Sequence, residues 1–193
     1  APALAAAPAL AAAPALAAET AIAAEAKART ALPLPLLPLP AEAKFSSGKT
    51  DLANACIELP QGVQDTRLDI ALARLNGAFG PGNSGARIRL LLKDDAKANR
   101  EAYTLTIEAS CATITAPTPQ GLLYGATTLA QMRGLAGETK IPCGEISDEP
   151  RLAFRGVMHD IGRGFMELDM LKRHIDLMSR YKVNVFHWHL TDN

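Results

Sequence analysis

Apolar residues return at two different intervals along this chain, and the interval decides the element. In residues 167–181 the apolar positions Leu168, Leu171, Ile175 and Met178 lie three and four apart. Acidic Glu167 and Asp169 open the run, and basic Arg180 and Lys182 stand near its end. That spacing and that order of charge predict an amphipathic helix matched to its own dipole. Residues 65–79 repeat the helical interval with Leu68, Leu72 and Leu75, and Gly80-Pro81-Gly82-Asn83 breaks it. An interval of two marks residues 87–91 and 103–108 as half-buried strands, with Ile88, Leu90, Tyr103, Leu105 and Ile107 facing inward. Residues 112–116 offer another short strand. Residues 121–132 return to helix, with Leu122, Leu129 and Met132 available to cover the sheet.

The densest information lies in the last forty residues. Phe154-Arg155-Gly156-Val157-Met158-His159-Asp160-Ile161-Gly162-Arg163-Gly164-Phe165 leads into the 167–181 helix, and Val183-Asn184-Val185-Phe186-His187-Trp188-His189-Leu190-Thr191-Asp192-Asn193 follows it. The order is strand, helix, strand, and the connection is long enough for a parallel crossover. Both strands end on charged groups. Polar residues gathered past the C-terminal ends of parallel strands are how α/β enzymes build active sites, so Asp160, Arg163 and Asp192 are the candidates.

Each candidate has a plainer explanation. Arg163 stands three residues after Asp160 between Gly162 and Gly164. Its planar fork of donors suits two neighbouring hydroxyls of a sugar, and it equally suits a structural ion pair with Asp160. Asp192, after the second strand and followed by Asn193, has the plain reading of a helix N-cap. His187 and His189 share one strand face, which permits a metal, but no third ligand is evident; packing or hydrogen bonding at the strand is the simpler fate, as for His159. Trp188 is most simply a core residue of its strand.

Composition narrows the function classes. Twenty basic and twenty acidic residues, a 5% aromatic content and a pI near 7.1 give no basic, aromatic-laced stripe for nucleic acid. No proline-free apolar run is long enough for a membrane-spanning helix. Residues 1–18 are three copies of Ala-Pro-Ala-Leu-Ala-Ala, a pattern whose prolines interrupt helix and whose small side chains cannot build a core. Residues 1–31 are therefore a low-complexity linker or the remnant of an export leader, and the latter favours a periplasmic or secreted protein. Residues 31–40, with Pro33, Pro35, Pro38 and Pro40, are held extended, as a ligand for a proline-binding domain or as a strap on the domain that follows. Cys56, Cys111 and Cys143 lack a paired metal-type spacing; they are three ordinary buried thiols or one Cys56–Cys111 disulfide plus a thiol.

The segments RGVMHDIGRGF and NVFHWHLTD resemble the first two strands of the catalytic barrel in the β-N-acetylhexosaminidases of glycoside hydrolase family 20. Ile146-Ser147-Asp148-Glu149-Pro150-Arg151 resembles the approach to that barrel, and Gly121-Leu122-Leu123-Tyr124-Gly125-Ala126-Thr127-Thr128-Leu129-Ala130-Gln131 the last helix of the small domain before it. The Pro-Leu-Pro segment resembles the start of that small domain, which favours the strap. The resemblance implies an α/β chain: a small α+β domain at residues 32–145, with an antiparallel or mixed sheet and helices, followed at 146–193 by the start of a (β/α)8 barrel.

It further implies removal of terminal N-acetylglucosamine or N-acetylgalactosamine from glycans or chitooligosaccharides, with retention of configuration, no cofactor and no metal. Arg163 would bind the sugar's 3- and 4-hydroxyls, and Asp192 would support the general acid through a carboxylate–His–Glu network. Gly164 stands where the family often has His, and Asn193 where many relatives have an acid. The family's catalytic Asp-Glu pair follows its fourth barrel strand. Asp148-Glu149 precedes the first strand and is not that pair. A barrel needs roughly 250 residues, so the expectation is a truncated, inactive polypeptide with Val157, Val183, Val185, Phe186 and Trp188 short of packing partners. A related glycosidase sharing the small domain, such as an α-glucuronidase, and a non-catalytic carbohydrate-associated module are the alternatives.

Overall fold

The computed structural model describes residues 33–95 and 98–191. The low-complexity segment at 1–31, Asp192 and Asn193 lie outside them. Six strands form one mixed sheet in the order β1-β6-β4-β5-β3-β2: β1 (Glu42–Asp51), β2 (Cys56–Glu58), β3 (Arg87–Leu92), β4 (Tyr103–Glu108), β5 (Cys111–Ala116) and β6 (Lys140–Asp148). β2, β3 and β5 run parallel, whereas β4 is antiparallel to both β5 and β6, and β1 to β6. Two helices cover one face. α1 (Thr66–Phe79) makes the crossover from β2 to β3, and α2 (Pro119–Ala136) links β5 to β6.

The alternation seen in the sequence is the alternation of burial. Ile88, Leu90, Tyr103, Leu105 and Ile107 all point into the core, joined by Ala112, Ile114 and Ala116 of β5. The opposite face is polar; Thr104 and Thr106 of β4 stand directly across from Thr115 and Thr113 of β5, an arrangement that favours strand pairing. α1 begins where the Asp65 carboxylate accepts a hydrogen bond from the Arg67 amide, and ends at Gly80 with φ +80°. It buries Leu68, Ala71, Leu75 and Phe79, while Leu72 is half-buried.

α2 is longer than its sequence pattern suggests, because Thr118 caps it, Pro119 opens it and a left-handed Gly137 closes it. Gly121 and Gly125 bring it onto the sheet: a Cβ at Gly121 would lie 2.3 Å from the Ala102 carbonyl oxygen, and one at Gly125 2.4 Å from Ile114 Cγ2. The proline segment is a strap. Leu34 and Leu36 are buried in the same core, and the Gln131 side chain accepts from the Leu37 amide at 2.9 Å and donates to its carbonyl at 2.8 Å. β6 carries the sheet through Asp148, so residues 146–148 belong to it rather than to the approach to the next unit.

A separate two-stranded parallel sheet follows, β7 (Gly156–Asp160) and β8 (Val185–His189), joined by α3 (Leu168–Arg180). Of the four apolar positions that define the α3 face only Leu171 is buried, while Leu168 and Ile175 are exposed. On the strands Val157 and Trp188 are 40% and 44% exposed, and Val185 and Phe186 are half-buried, as is Val183 just before β8, as expected for two strands without a closed barrel around them. The three cysteines are free and half-buried at the sheet rather than buried, and Cys56 and Cys111 do not form a disulfide. Both pair with Arg87, from opposite sides of β3, so two strand spacings, roughly 9–10 Å, separate them, beyond the reach of an S–S bridge.

Gly125→Ala should destabilise the first unit by about 1–3 kcal/mol through overpacking, measured by urea denaturation. Gly134→Ala on the exposed side of the same helix, with nothing within 4 Å of the added methyl, should leave stability unchanged or raise it by about 0.5–1 kcal/mol.

Candidate active site

β7 and β8 run in register, Gly156 opposite Val185 and Asp160 opposite His189, so their C-terminal ends share one edge. Asp160 is the centre of what gathers there. Its carboxylate accepts from the Arg163 backbone amide at 3.3 Å, meets the Arg163 guanidinium Nε at 3.5 Å and lies 3.4 Å from His189 Nδ1. The Asp160–Arg163 ion pair is therefore formed. It leaves the Arg163 side chain 79% exposed, so the guanidinium remains within reach of a ligand at this edge.

The histidines divide between the two faces. His187 and His189 lie on the Asp160 side with ring centroids 6.5 Å apart. His159 faces α3 and meets His174 edge-on at 5.7 Å. Among the described residues no three His, Cys, Asp or Glu side chains are grouped as metal ligands. Trp188 shares the α3 side, its ring 6.5 Å from Phe186, and is half out of the core rather than within it. Asp192, three residues beyond His189, lies outside the described residues.

The opposite, N-terminal ends of β7 and β8 carry a second polar cluster that the sequence did not disclose. Arg155, immediately before β7, forms a two-pronged ion pair with Glu101 at 3.0 and 3.1 Å, and donates to the Tyr124 hydroxyl at 3.0 Å and to the Lys182 carbonyl at 2.8 Å. Lys182, just before β8, places its buried ammonium 2.7 Å from Asp148 and 3.0 Å from the Tyr103 hydroxyl, which also reaches Thr128 at 2.7 Å. Arg74 of α1 reaches across to Ser179 near the end of α3 while donating to Thr127 at 2.6 Å. These residues come from both units, so this is a domain junction. Asp148, which its place before the first barrel strand excludes from the catalytic pair, serves here as a buried counter-ion.

Burial and electrostatics compete at the junction. Burial works to raise the Glu101 pKa, but hydrogen bonds and charge from Arg155, with hydrogen bonds from Tyr124 and Asn184, more than reverse it and hold the carboxyl below its ordinary range. Burial lowers the Lys182 pKa, and Asp148 only partly restores it. Burial and the Asp148 charge push the Tyr103 hydroxyl well up, which keeps it a neutral donor. A cleft of about 580 Å³ opens over this cluster between Pro38–Pro40 and the 149–152 connection.

A small α/β domain stands ahead of a parallel βαβ unit with charged groups past its strands. Residues 33–149 match the model of glycosyl hydrolase family 20, domain 2, and residues 152–193 match the catalytic domain of the same family. The chain belongs to glycoside hydrolase family 20. It is 44% identical over 95 residues to a β-hexosaminidase of Akkermansia muciniphila, covering 48% of this chain and 19% of the relative. It is 36% identical over 129 residues to a β-N-acetylhexosaminidase of Cellulomonas fimi, covering 63% and 26%. Among solved structures, the exo-β-N-acetylglucosaminidase of Vibrio harveyi in complex with N-acetylglucosamine superposes with a TM-score of 0.69 at 27% identity, covering 82% of this chain and 26% of that one. The chain thus spans about a fifth to a quarter of the length of these relatives. The six-stranded sheet with its helices is the small domain of this fold, and β7-α3-β8 is the start of its barrel.

Glu101 contributes stability in full above its ordinary pKa of 4.5, and that contribution fades as pH falls through its lowered folded value. Urea midpoints followed by the fluorescence of Trp188, the single tryptophan, should fall between pH 7 and pH 3. The Glu101→Gln variant should be less stable at pH 7 and show a shallower fall.

Proposed function

We propose that this chain is the front end of a β-N-acetylhexosaminidase that removes terminal, non-reducing N-acetylglucosamine or N-acetylgalactosamine from glycans or chitooligosaccharides. The observation that carries the reading is an exposed Arg163 held beside Asp160 past the first barrel strand, in a chain of this family. The planar guanidinium can donate to two adjacent sugar hydroxyls while Asp160 fixes its backbone. Asp192 is part of the same proposal, as a carboxylate supporting the general acid.

In the proposed reaction the substrate's acetamido oxygen bonds to the anomeric carbon as the glycosidic bond breaks, and a carboxylic acid protonates the departing oxygen. Water then opens the oxazolinium with retention of configuration. The acid and its neighbouring carboxylate are assigned to an Asp-Glu pair after the fourth barrel strand, and the described residues hold two barrel strands. The alanine-rich leader composition supports export to the periplasm or beyond the cell as the setting.

A polypeptide of these 193 residues should release no chromophore from a chromogenic N-acetylglucosaminide, whereas one continuing through a whole barrel should. In the latter, Arg163→Ala should lower kcat/KM by roughly 10²-fold, on the order of 3 kcal/mol, and Arg163→Lys should restore little of it because the fork is lost. Turnover by the short polypeptide, or sugar affinity indifferent to Arg163→Ala, contradicts the proposal.

A further inference from the structure

Lys182 occupies a position whose local chemistry calls for a different residue. α3 ends in a Schellman turn: the Lys182 amide donates to the Ser179 carbonyl at 3.3 Å and the Val183 amide to the Met178 carbonyl at 3.1 Å. In this turn the residue just past the Tyr181 cap must be left-handed, and that residue, Lys182, has φ +60°. Glycine is the usual occupant, since a side chain there is strained. Lys182 is nonetheless present, and it is one of only a few polar residues in the buried set. Its ammonium crosses out of the barrel unit to Asp148 at 2.7 Å and Tyr103 at 3.0 Å, and sits over the Tyr103 ring at 4.7 Å. Asp148 has its other oxygen occupied by the Ala41 amide at 3.1 Å, so the socket belongs wholly to the first unit.

We propose that Lys182 is an inter-domain hook, and that the small domain acts through it as a mould that holds the β7-α3-β8 unit in its folded register. The βαβ unit buries little of its own apolar surface: Leu171 is the one fully buried residue of α3, and Val157, Met158, Leu177 and Trp188 stay exposed. Among the described residues, its hydrogen bonds and ion pairs to the first unit lie at one end. Lys182 meets Asp148, Arg155 meets Glu101, and Ser179 meets Arg74, all at the N-terminal side of the two strands. The small domain therefore sets where Asp160 and His189 emerge, one strand length away, without touching them. This assignment does not depend on which sugar the enzyme takes.

The local rule and the hook give opposite signs for one substitution. Lys182→Gly relieves the left-handed strain but removes the hook. If the hook holds the unit, Lys182→Gly speeds amide hydrogen exchange across residues 156–189 by at least tenfold and shifts the Trp188 emission, while β3, β4 and β5 keep their protection. Unchanged or increased protection of 156–189 overturns the proposal, and so does a uniform loss that includes β3–β5. Asp148→Asn is the second arm, because it leaves the Schellman turn and Lys182 intact and weakens only the socket. It must also raise exchange in 156–189 selectively; if it leaves that region as protected as in the parent chain, Lys182 is a local cap and the mould is wrong.

Discussion

A charged ammonium is kept out of water only where its surroundings replace the hydration it has lost. Lys182 meets that condition with a carboxylate, a phenol and an aromatic face, all supplied by the neighbouring unit. Removing one member of such a set leaves the others buried and unpaired, an effect on the order of 3–5 kcal/mol. The rest of the molecule depends on this constraint, because β7, α3 and β8 cannot cover themselves. The first unit is stabilised by apolar burial and close helix–sheet contact; the second is located by polar contacts at one end.

That division explains how the chain separates stability from chemistry. In parallel α/β architecture the C-terminal edge of the strands is left free for substrate, and the N-terminal edge serves packing. Asp160, Arg163 and His189 occupy the former, and Arg155 and Lys182 the latter. Five residues of extended strand, roughly 16 Å, lie between them. Among the described residues the small domain contributes no polar contact to the candidate sugar face, yet it contacts the segments on which that face is mounted.

How far the sequence disclosed this depends on how local each feature is. The three helices and strands β3, β4, β5, β7 and β8 follow from apolar intervals within ten to fifteen residues. β1, β2 and β6 do not: β1 is a largely exposed edge with a polar sequence, β2 has three residues, and β6 contains Pro142 and Gly144. Pro142 lies opposite Lys49 of β1 but beyond the stretch, residues 144–148, that pairs with β4, so it has a partner strand on one side only. Gly144 is required because a Cβ there would lie 2.3 Å from the Lys44 carbonyl oxygen. The Asp160–Arg163 pair was visible from its place after a strand. The junction was not, since its partners are 34, 54 and 79 residues apart. A charged residue destined for burial carries no periodic signature; the one available hint was a lysine at a helix end where glycine is the rule.

The two-stranded parallel sheet has a practical consequence. Among the described residues neither outer edge of β7 or β8 is paired, and Phe154, Met158, Phe165, Leu177 and Leu190 face solvent around them. Bare edges beside apolar side chains recruit other chains. Concentrated solutions of this polypeptide would therefore be colloidally fragile first at this end. Chaperone capture or a fused solubilising partner would act there, while the threonine-faced sheet of the other unit stays indifferent to crowding.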